Sequence, residues 1–296
     1  MAESQRILII GAGGMLGHKL YQVLRPRFDV RATVRGSAQE YEKFGIFDPN
    51  DLIGEVDVQN FEVVTRVVGS VKPDVIVNAV GVIKQLPTAK DPIVSLTINS
   101  ILPHRLAALA ETVGARFITL STDCVFNGRR GMYTEDDVAD AEDLYGRSKF
   151  LGEVTSGRAL TLRSSIIGRE LGTAHSLVEW FLSNRGGKIK GFRHAIYSGF
   201  PTVVMARLIG DLIERHPKLS GLYQVSSEPI NKYDLLLLMR DAYQVDIEIE
   251  RDEEFRINRS LDSTRFRQAT GFEPQSWPEM VKAMASDRSK FRETHN

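Results

Sequence analysis

The chain has 296 residues, 42% of them apolar, which is ample for a sizeable core in one large domain or two modest ones. Lys plus Arg and Asp plus Glu each number 38, so the formal net charge is zero, and no block of like charge marks a nucleic-acid arm or a membrane patch. A single cysteine, Cys124, excludes an intrachain disulfide, and without a CxxC pair neither a zinc site nor a redox couple is expected; a reducing, cytoplasmic setting fits, with no catalytic metal.

The N-terminus passes through one short apolar run, Ile7 to Ile10, into glycines, so neither a signal peptide nor a membrane span is expected. Arg6 to Ile10 reads as a strand, Met15 to Leu24 has helical spacing, and Phe28 to Val34 is a second strand, which together make one βαβ unit. The pattern recurs with a helix at Phe61 to Val68, a buried strand at Asp74 to Ala79, a long helix at Ile93 to Val113 and a buried strand at Arg116 to Leu120. A polar, irregular stretch, Asn127 to Asp143, precedes a helix from Leu144 to Thr155 and a strand at Ala159 to Ser164. Buried strands alternating with helices predict an α/β fold, a Rossmann-type doubly wound parallel sheet covered on both faces. After Ser165 the strand-like runs shorten to Leu222–Val225 and Asp246–Glu250. Helices dominate there, at His175–Ser183, Thr202–Arg215, Lys232–Ala242 and Pro278–Phe291. The expected division is a dinucleotide domain over 1–165, to which the chain can return later, and a smaller, mostly helical substrate lobe over 166–296.

Gly11-Ala-Gly13-Gly14-Met15-Leu16-Gly17 falls where the first strand ends and the first helix begins, where missing side chains let a pyrophosphate approach backbone N–H groups. The spacing fits GxxGxxG better than GxGxxG, because Leu16 occupies the third glycine of the latter. The second strand ends Ala32-Thr33-Val34-Arg35-Gly36-Ser37, without the acid that holds the ribose of NAD. Arg35 and Ser37 suit the 2′-phosphate of NADP(H), which makes NAD(H) the lesser expectation. Asp57 and Val58 fall where a third strand would meet the adenine, and Asn78-Ala79-Val80-Gly81 ends the fourth strand in small residues; both also read as ordinary turns. Tyr145-Gly-Arg-Ser-Lys149 places a phenol and an ammonium on one helix face, where the ammonium can lower the phenol pKa. Ser121-Thr122-Asp123 follows a buried strand at the carboxyl edge of the sheet, so Thr122 can hydrogen-bond a substrate carbonyl.

In this order these residues resemble the extended short-chain dehydrogenase/reductases, and more narrowly the dTDP-4-dehydrorhamnose reductase group of nucleotide-sugar reductases. The resemblance runs through Gly11–Gly17, Asn78–Gly81, Asn99 in Ile-Asn-Ser-Ile-Leu-Pro, Ser121–Phe126, Tyr145–Lys149 with Gly152-Glu153, Leu162-Arg163 and Pro201-Thr202. It implies that Tyr145 protonates the sugar oxygen, Lys149 holds the ribose and tunes Tyr145, Thr122 binds the carbonyl, and Asn99 is a backbone or water-relay position. Asp123 and Cys124 then border the sugar, and Asn258 to Ser263 resembles the segment that closes over substrate. The Arg-Pro expected before that segment is replaced by Phe255-Arg256, and Cys124 stands where an aromatic is common. Arginines 193, 256 and 259 are the candidates for a nucleoside diphosphate. The implied reaction is NADPH-dependent reduction of a keto group, at C4, on a nucleotide-linked deoxyhexose, by an enzyme that is commonly a homodimer. Two alternatives are carried: a bifunctional epimerase/reductase using Cys124 and His175, and a non-catalytic NADP-binding regulatory subunit.

Overall fold

Ile7, Leu8, Ile9 and Ile10 of β1 (Arg6–Ile10) are all fully buried, a state open only to a strand with cover on both faces. The computed structural model describes residues 4–84 and 87–287. Beyond β1 the first half contains α1 (Gly17–Leu24), β2 (Asp29–Thr33), α2 (Gln39–Glu42), β3 (Leu52–Ile53), α3 (Phe61–Val71) and β4 (Val75–Asn78). It continues with α4 (Pro92–Ser95), a π-helical segment (Leu96–Ile101), α5 (Leu102–Thr112), β5 (Arg116–Ser121), α6 (Leu144–Leu151) and β6 (Ala159–Arg163). The second half holds β7 (Ile166–Ile167), α7 (Leu177–Ser183), β8 (Lys188–Tyr197), β9 (Phe200–Pro201), α8 (Thr202–Arg215) and β10 (Gly221–Gln224). It ends with β11 (Ile230–Asn231), α9 (Lys232–Tyr243), β12 (Glu248–Asn258), α10 (Thr264–Thr270) and α11 (Trp277–Ala285).

The main sheet has the order β10-β6-β5-β4-β1-β2-β3, and every neighbouring pair is parallel. Strand order reverses between β1 and β4, and the crevice at the carboxyl ends of those two strands is where such sheets bind ligands. One face is covered by α1 and α8, whose Leu20, Leu24, Leu208 and Ile209 are buried, and the other by α3 and α5 through Val64, Val68, Leu102 and Leu106. The chain re-enters this sheet with β10, which pairs with β6 well beyond residue 165.

The continuous helix expected over Ile93–Val113 is interrupted. Its middle is π-helical, with the Leu102 N–H donating to the Thr97 carbonyl. Pro103 stands four residues after Asn99 and has no N–H to give to the Asn99 carbonyl, so regular α register cannot pass this point. Among the described residues Pro92–Thr112 is also long and apolar enough to cross a membrane, contrary to the expectation that no such segment exists, yet it lies against β4 and β5 with Leu102, Leu106 and Ala110 buried.

The second lobe carries a sheet that the sequence expectation lacked, in the order β11-β8-β12. Residues Lys188–Tyr197, for which no strand was expected, form a ten-residue strand with Ile189, Gly191, Ala195 and Tyr197 buried. Strand β12 is eleven residues long and pairs parallel to β8, with an irregularity between Asp252 and Arg256. Helix α9 packs across β8. The last helix ends at Ala285, and the rest of the expected span to Phe291 lies partly outside the described residues.

Candidate active site

The glycine loop is shaped by three close approaches. Gly11 has φ +89°, a left-handed conformation, and its N–H donates to Thr33 Oγ1 at 3.1 Å. A Cβ on Gly17 would stand 2.1 Å from the Gly11 carbonyl oxygen, and one on Gly13 would stand 2.6 Å from the Tyr41 hydroxyl. Gly14 is exposed and Met15 half-buried, whereas the Leu16 side chain is buried in the core. The loop leans on the end of β4: a Cβ on Gly11 would meet the Val80 side chain at 2.5 Å, and the Ala79 carbonyl is next to Gly14. Gly14, exposed and with only backbone near it, leaves the start of α1 open to solvent, which fits a pyrophosphate.

Other expected cofactor residues separate into two kinds. Asn78 is buried, donates from Nδ2 to Thr119 Oγ1 at 3.2 Å, and accepts from the Val80 N–H at 3.1 Å, so its side chain fastens the end of β4. Asp57 is exposed and accepts from the Gln59 N–H at 3.0 Å in the turn before α3, while Val58 packs into the core beneath that helix. Arg35 is exposed, and its guanidinium makes no hydrogen bond or ion pair among the described residues. Ser37 instead donates to Glu40 Oε1 at 3.3 Å, and the Glu40 carboxylate lies against Gly36. The sequence reading found no acid at this strand end. Glu40 corrects that, because the chain turns back through α2 and brings in a carboxylate from outside the strand.

Thr122 ends β5 and caps a short 3₁₀ turn: its hydroxyl donates to Asp123 Oδ1 at 3.1 Å and accepts the Cys124 N–H at 3.1 Å. Asp143 caps α6 by accepting from the Gly146 N–H at 2.9 Å. Gly146 then lets α6 press onto the turn, since a Cβ there would lie 2.2 Å from the Cys124 carbonyl oxygen. That contact sets the Tyr145 phenol beside Thr122, Asp123 and Cys124. Lys149, one turn further along α6, donates from Nζ to the Leu120 carbonyl at 2.7 Å, and a Cβ on Gly81 would be 4.0 Å from that ammonium.

The electrostatics differ from the sequence expectation. Burial pushes the Tyr145 phenol well above its ordinary pKa, Cys124, Asp123 and Asp143 add to the rise, and the Thr122 hydroxyl opposes them. The Lys149 ammonium is turned to the Leu120 carbonyl. Burial brings Lys149 itself down to about 8, with Glu153 opposing the shift. Glu153 in turn accepts from Ser121 Oγ at 2.6 Å and from Arg163 at 2.7 and 2.8 Å, a buried clamp between the end of α6 and the ends of β5 and β6.

Asn99 does not reach the crevice with its side chain. Its Nδ2 donates to the Val82 carbonyl and to Ser148 Oγ, and its Oδ1 accepts the Val82 N–H. Gly152 sits on the Asn99 carbonyl, where an added Cβ would be 1.9 Å from the oxygen, so the π-helical segment and α6 are fitted together backbone to backbone.

Of the three arginines expected at a diphosphate, Arg259 is the one at the Thr122 cluster: Nε donates to the Phe126 carbonyl at 2.8 Å, and Nη1 is 3.8 Å from Cys124 Sγ. Arg193 is spent on Asp234 at 2.6 Å, and Arg256 is exposed on β12. Burial and Asp123 hold the Cys124 thiol up at about 12, so it is protonated, and no contact joins it to the exposed His175. Asp123 is raised by burial against the pull of Arg259 and Lys232. Lys232, which the sequence reading passed over as an ordinary helix residue, places Nζ 4.3 Å from the centre of the Tyr197 ring, facing Asp123 and Cys124. Its one sequence signal is a cation at a helix N-terminus, directly after the capping residue Asn231, where the helix dipole disfavours positive charge.

Residues 5–289 match the family described as RmlD substrate binding domain. A dTDP-4-dehydrorhamnose reductase of Aggregatibacter actinomycetemcomitans is 26% identical, with 94% of this chain and 97% of the relative aligned. The methionine adenosyltransferase 2 subunit beta of Rattus norvegicus is 25% identical over 82% of this chain and 73% of its own length. The fold is similar to that of a dTDP-4-dehydrorhamnose reductase from Bacillus anthracis str. Ames solved in complex with NADP, with TM-score 0.78, 21% identity, and 95% and 98% of the two chains covered.

Proposed function

The chain belongs to the RmlD substrate binding domain family, and from that premise we propose that it is an extended short-chain reductase which uses NADPH to reduce a keto group, at C4, on a nucleotide-linked deoxyhexose. The observation that carries this reading is the placement of Tyr145 beside Thr122 at the carboxyl edge of the sheet, where Gly146 presses α6 onto the Cys124 carbonyl, with the Lys149 ammonium on the Leu120 carbonyl and the glycine loop at the head of α1. Gly11, Gly13, Gly14, Met15 and Gly17 fit the pyrophosphate, Arg35 fits a 2′-phosphate, and Gly81 leaves room in front of Lys149 for a ribose. The bound cofactor supplies hydride to the carbonyl carbon. Tyr145 gives its proton to the carbonyl oxygen; the raised pKa keeps that proton on the phenol at neutral pH until the oxygen gains charge. Thr122 donates to the same oxygen, exchanging its present bond to Asp123 for one to substrate. Asp123, Cys124 and Arg259 line the sugar side. In this reading the enzyme is cytoplasmic and works as a homodimer.

The likeness to methionine adenosyltransferase 2 subunit beta favours one second reading, a cofactor-binding regulatory subunit. One experiment separates the two: dTDP-, UDP- and GDP-linked 4-keto-6-deoxy sugars are mixed with the chain and NADPH, and loss of NADPH absorbance is followed. Oxidation with one of the sugars is expected. NADPH binding without oxidation by any of them would leave only the regulatory reading.

A further inference from the structure

We infer that Lys232 is a phosphate-binding residue of the substrate site, holding the phosphate that joins the sugar to the nucleoside. This rests on the nucleotide-sugar reading above and assigns a residue to the end of the substrate next to the reacting ring. Lys232 opens α9, and its ammonium lies over Tyr197 at 4.3 Å, on the side of Asp123 and Cys124. Among the described residues it makes no ion pair and no hydrogen bond. The nearest acid of its own helix, Asp234, is already taken by Arg193 at 2.6 Å and by Asn231 Nδ2 at 2.6 Å.

Stability does not account for a lysine here. A withdrawn ammonium loses hydration, and the N-terminus of a helix opposes positive charge. The contact with Tyr197 offsets only part of the cost of withdrawing a charge from water. Lys232 and Arg259 face Asp123, and Arg259 also acts on Asp143, which is paired with Lys84 at 2.8 Å; three cations against two carboxylates leave one positive charge in excess. A sugar hydroxyl would accept a hydrogen bond from Lys232 but leave that charge in place. A phosphate does both. Position selects which phosphate: Asp123 and Cys124 directly follow Thr122, the residue at the reacting carbonyl, so the phosphate nearest them is the one on the sugar and not the one on the nucleoside.

The test uses the full chain saturated with NADPH and calorimetric titration with dTDP, UDP and GDP and with the corresponding monophosphates. Lys232→Met keeps the apolar stem over Tyr197 and removes the charge. The expected result is at least a tenfold weaker affinity for the preferred diphosphate, less than a twofold change for its monophosphate, unchanged NADPH affinity, and recovery of most of the loss in Lys232→Arg. Diphosphate affinity equal to wild type in Lys232→Met would overturn the inference, as would parallel loss of mono- and diphosphate, which would put Lys232 at the nucleoside. Should the methionine variant not fold, Lys232→Gln is read by the same criteria. A wild-type chain that binds none of the three diphosphates would defeat the nucleotide-sugar reading itself, an outcome distinct from loss in the variant alone.

Discussion

Lys149 carries the clearest pH signature of any single residue. In the proposed function its ammonium holds the ribose, and burial brings its pKa down to about 8. The kcat/KM for NADPH reports the free enzyme and is expected to fall as pH rises through about 8, with the fall abolished in Lys149→Arg. Stability moves the other way. Between about 8 and the ordinary lysine value of 10.5 the unfolded chain binds the proton that the folded chain has released, so Lys149 adds stability as pH rises across that window. A flat kcat/KM profile in the same region would remove Lys149 from cofactor binding. In the same proposed function Arg35 pairs with the 2′-phosphate, so Arg35→Asp is expected to weaken NADPH at least tenfold, by fluorescence titration, and to leave NADH nearly unchanged. Glu40, beside Gly36, already disfavours a phosphate in this corner, so Arg35 is its main support. Equal affinity of the parent chain for the two nucleotides would contradict that role.

The fit of α6 to the neighbouring π-helical segment sets the positions of Tyr145 and Lys149 at the level of elements. Gly152→Ala would drive a methyl into the Asn99 carbonyl, 1.9 Å away, where backbone cannot yield as a side chain would. The expected cost is about 1–3 kcal/mol of stability by urea unfolding, with a fall in kcat as α6 is displaced. Unchanged stability would mean that the two segments are not in backbone contact. The first half of the fold was legible because strands buried on both faces are continuous apolar runs, as in β1, β4 and β5. The π register was not, since one proline changes the hydrogen bonding without changing the apolar spacing. Strand β12 was largely hidden as well: Glu-Ile-Glu-Arg-Asp-Glu-Glu at a sheet edge owes its form to pairing with β8, and edge strands carry charge that disguises them.

Across the whole molecule, the site is assembled from residues far apart in sequence. The irregular segment after Phe126 docks on the segment that follows β12: Tyr133 bridges to Leu261, the Met132 N–H donates to Ser260 Oγ, and Arg259 reaches the Phe126 carbonyl. Such contacts leave no local pattern. Thr122, Tyr145, Lys149 and the glycine loop could be found because each sits at a fixed offset from a strand end or on one helix face. Lys232 could not, because only the tertiary fold brings it to Asp123, and Glu40 escaped notice because it lies in the short helix α2, past the strand end. In the proposed function this assembly transfers a proton from Tyr145 to a sugar carbonyl as the carbonyl is reduced. The most direct measurement is the rate of NADPH oxidation by the wild-type chain and by Tyr145→Phe, each saturated with NADPH and with the 4-keto nucleotide sugar that the wild type accepts. The variant is expected to show at least about a hundredfold lower kcat with NADPH affinity retained. A Tyr145→Phe variant that turned over at the wild-type rate would contradict it.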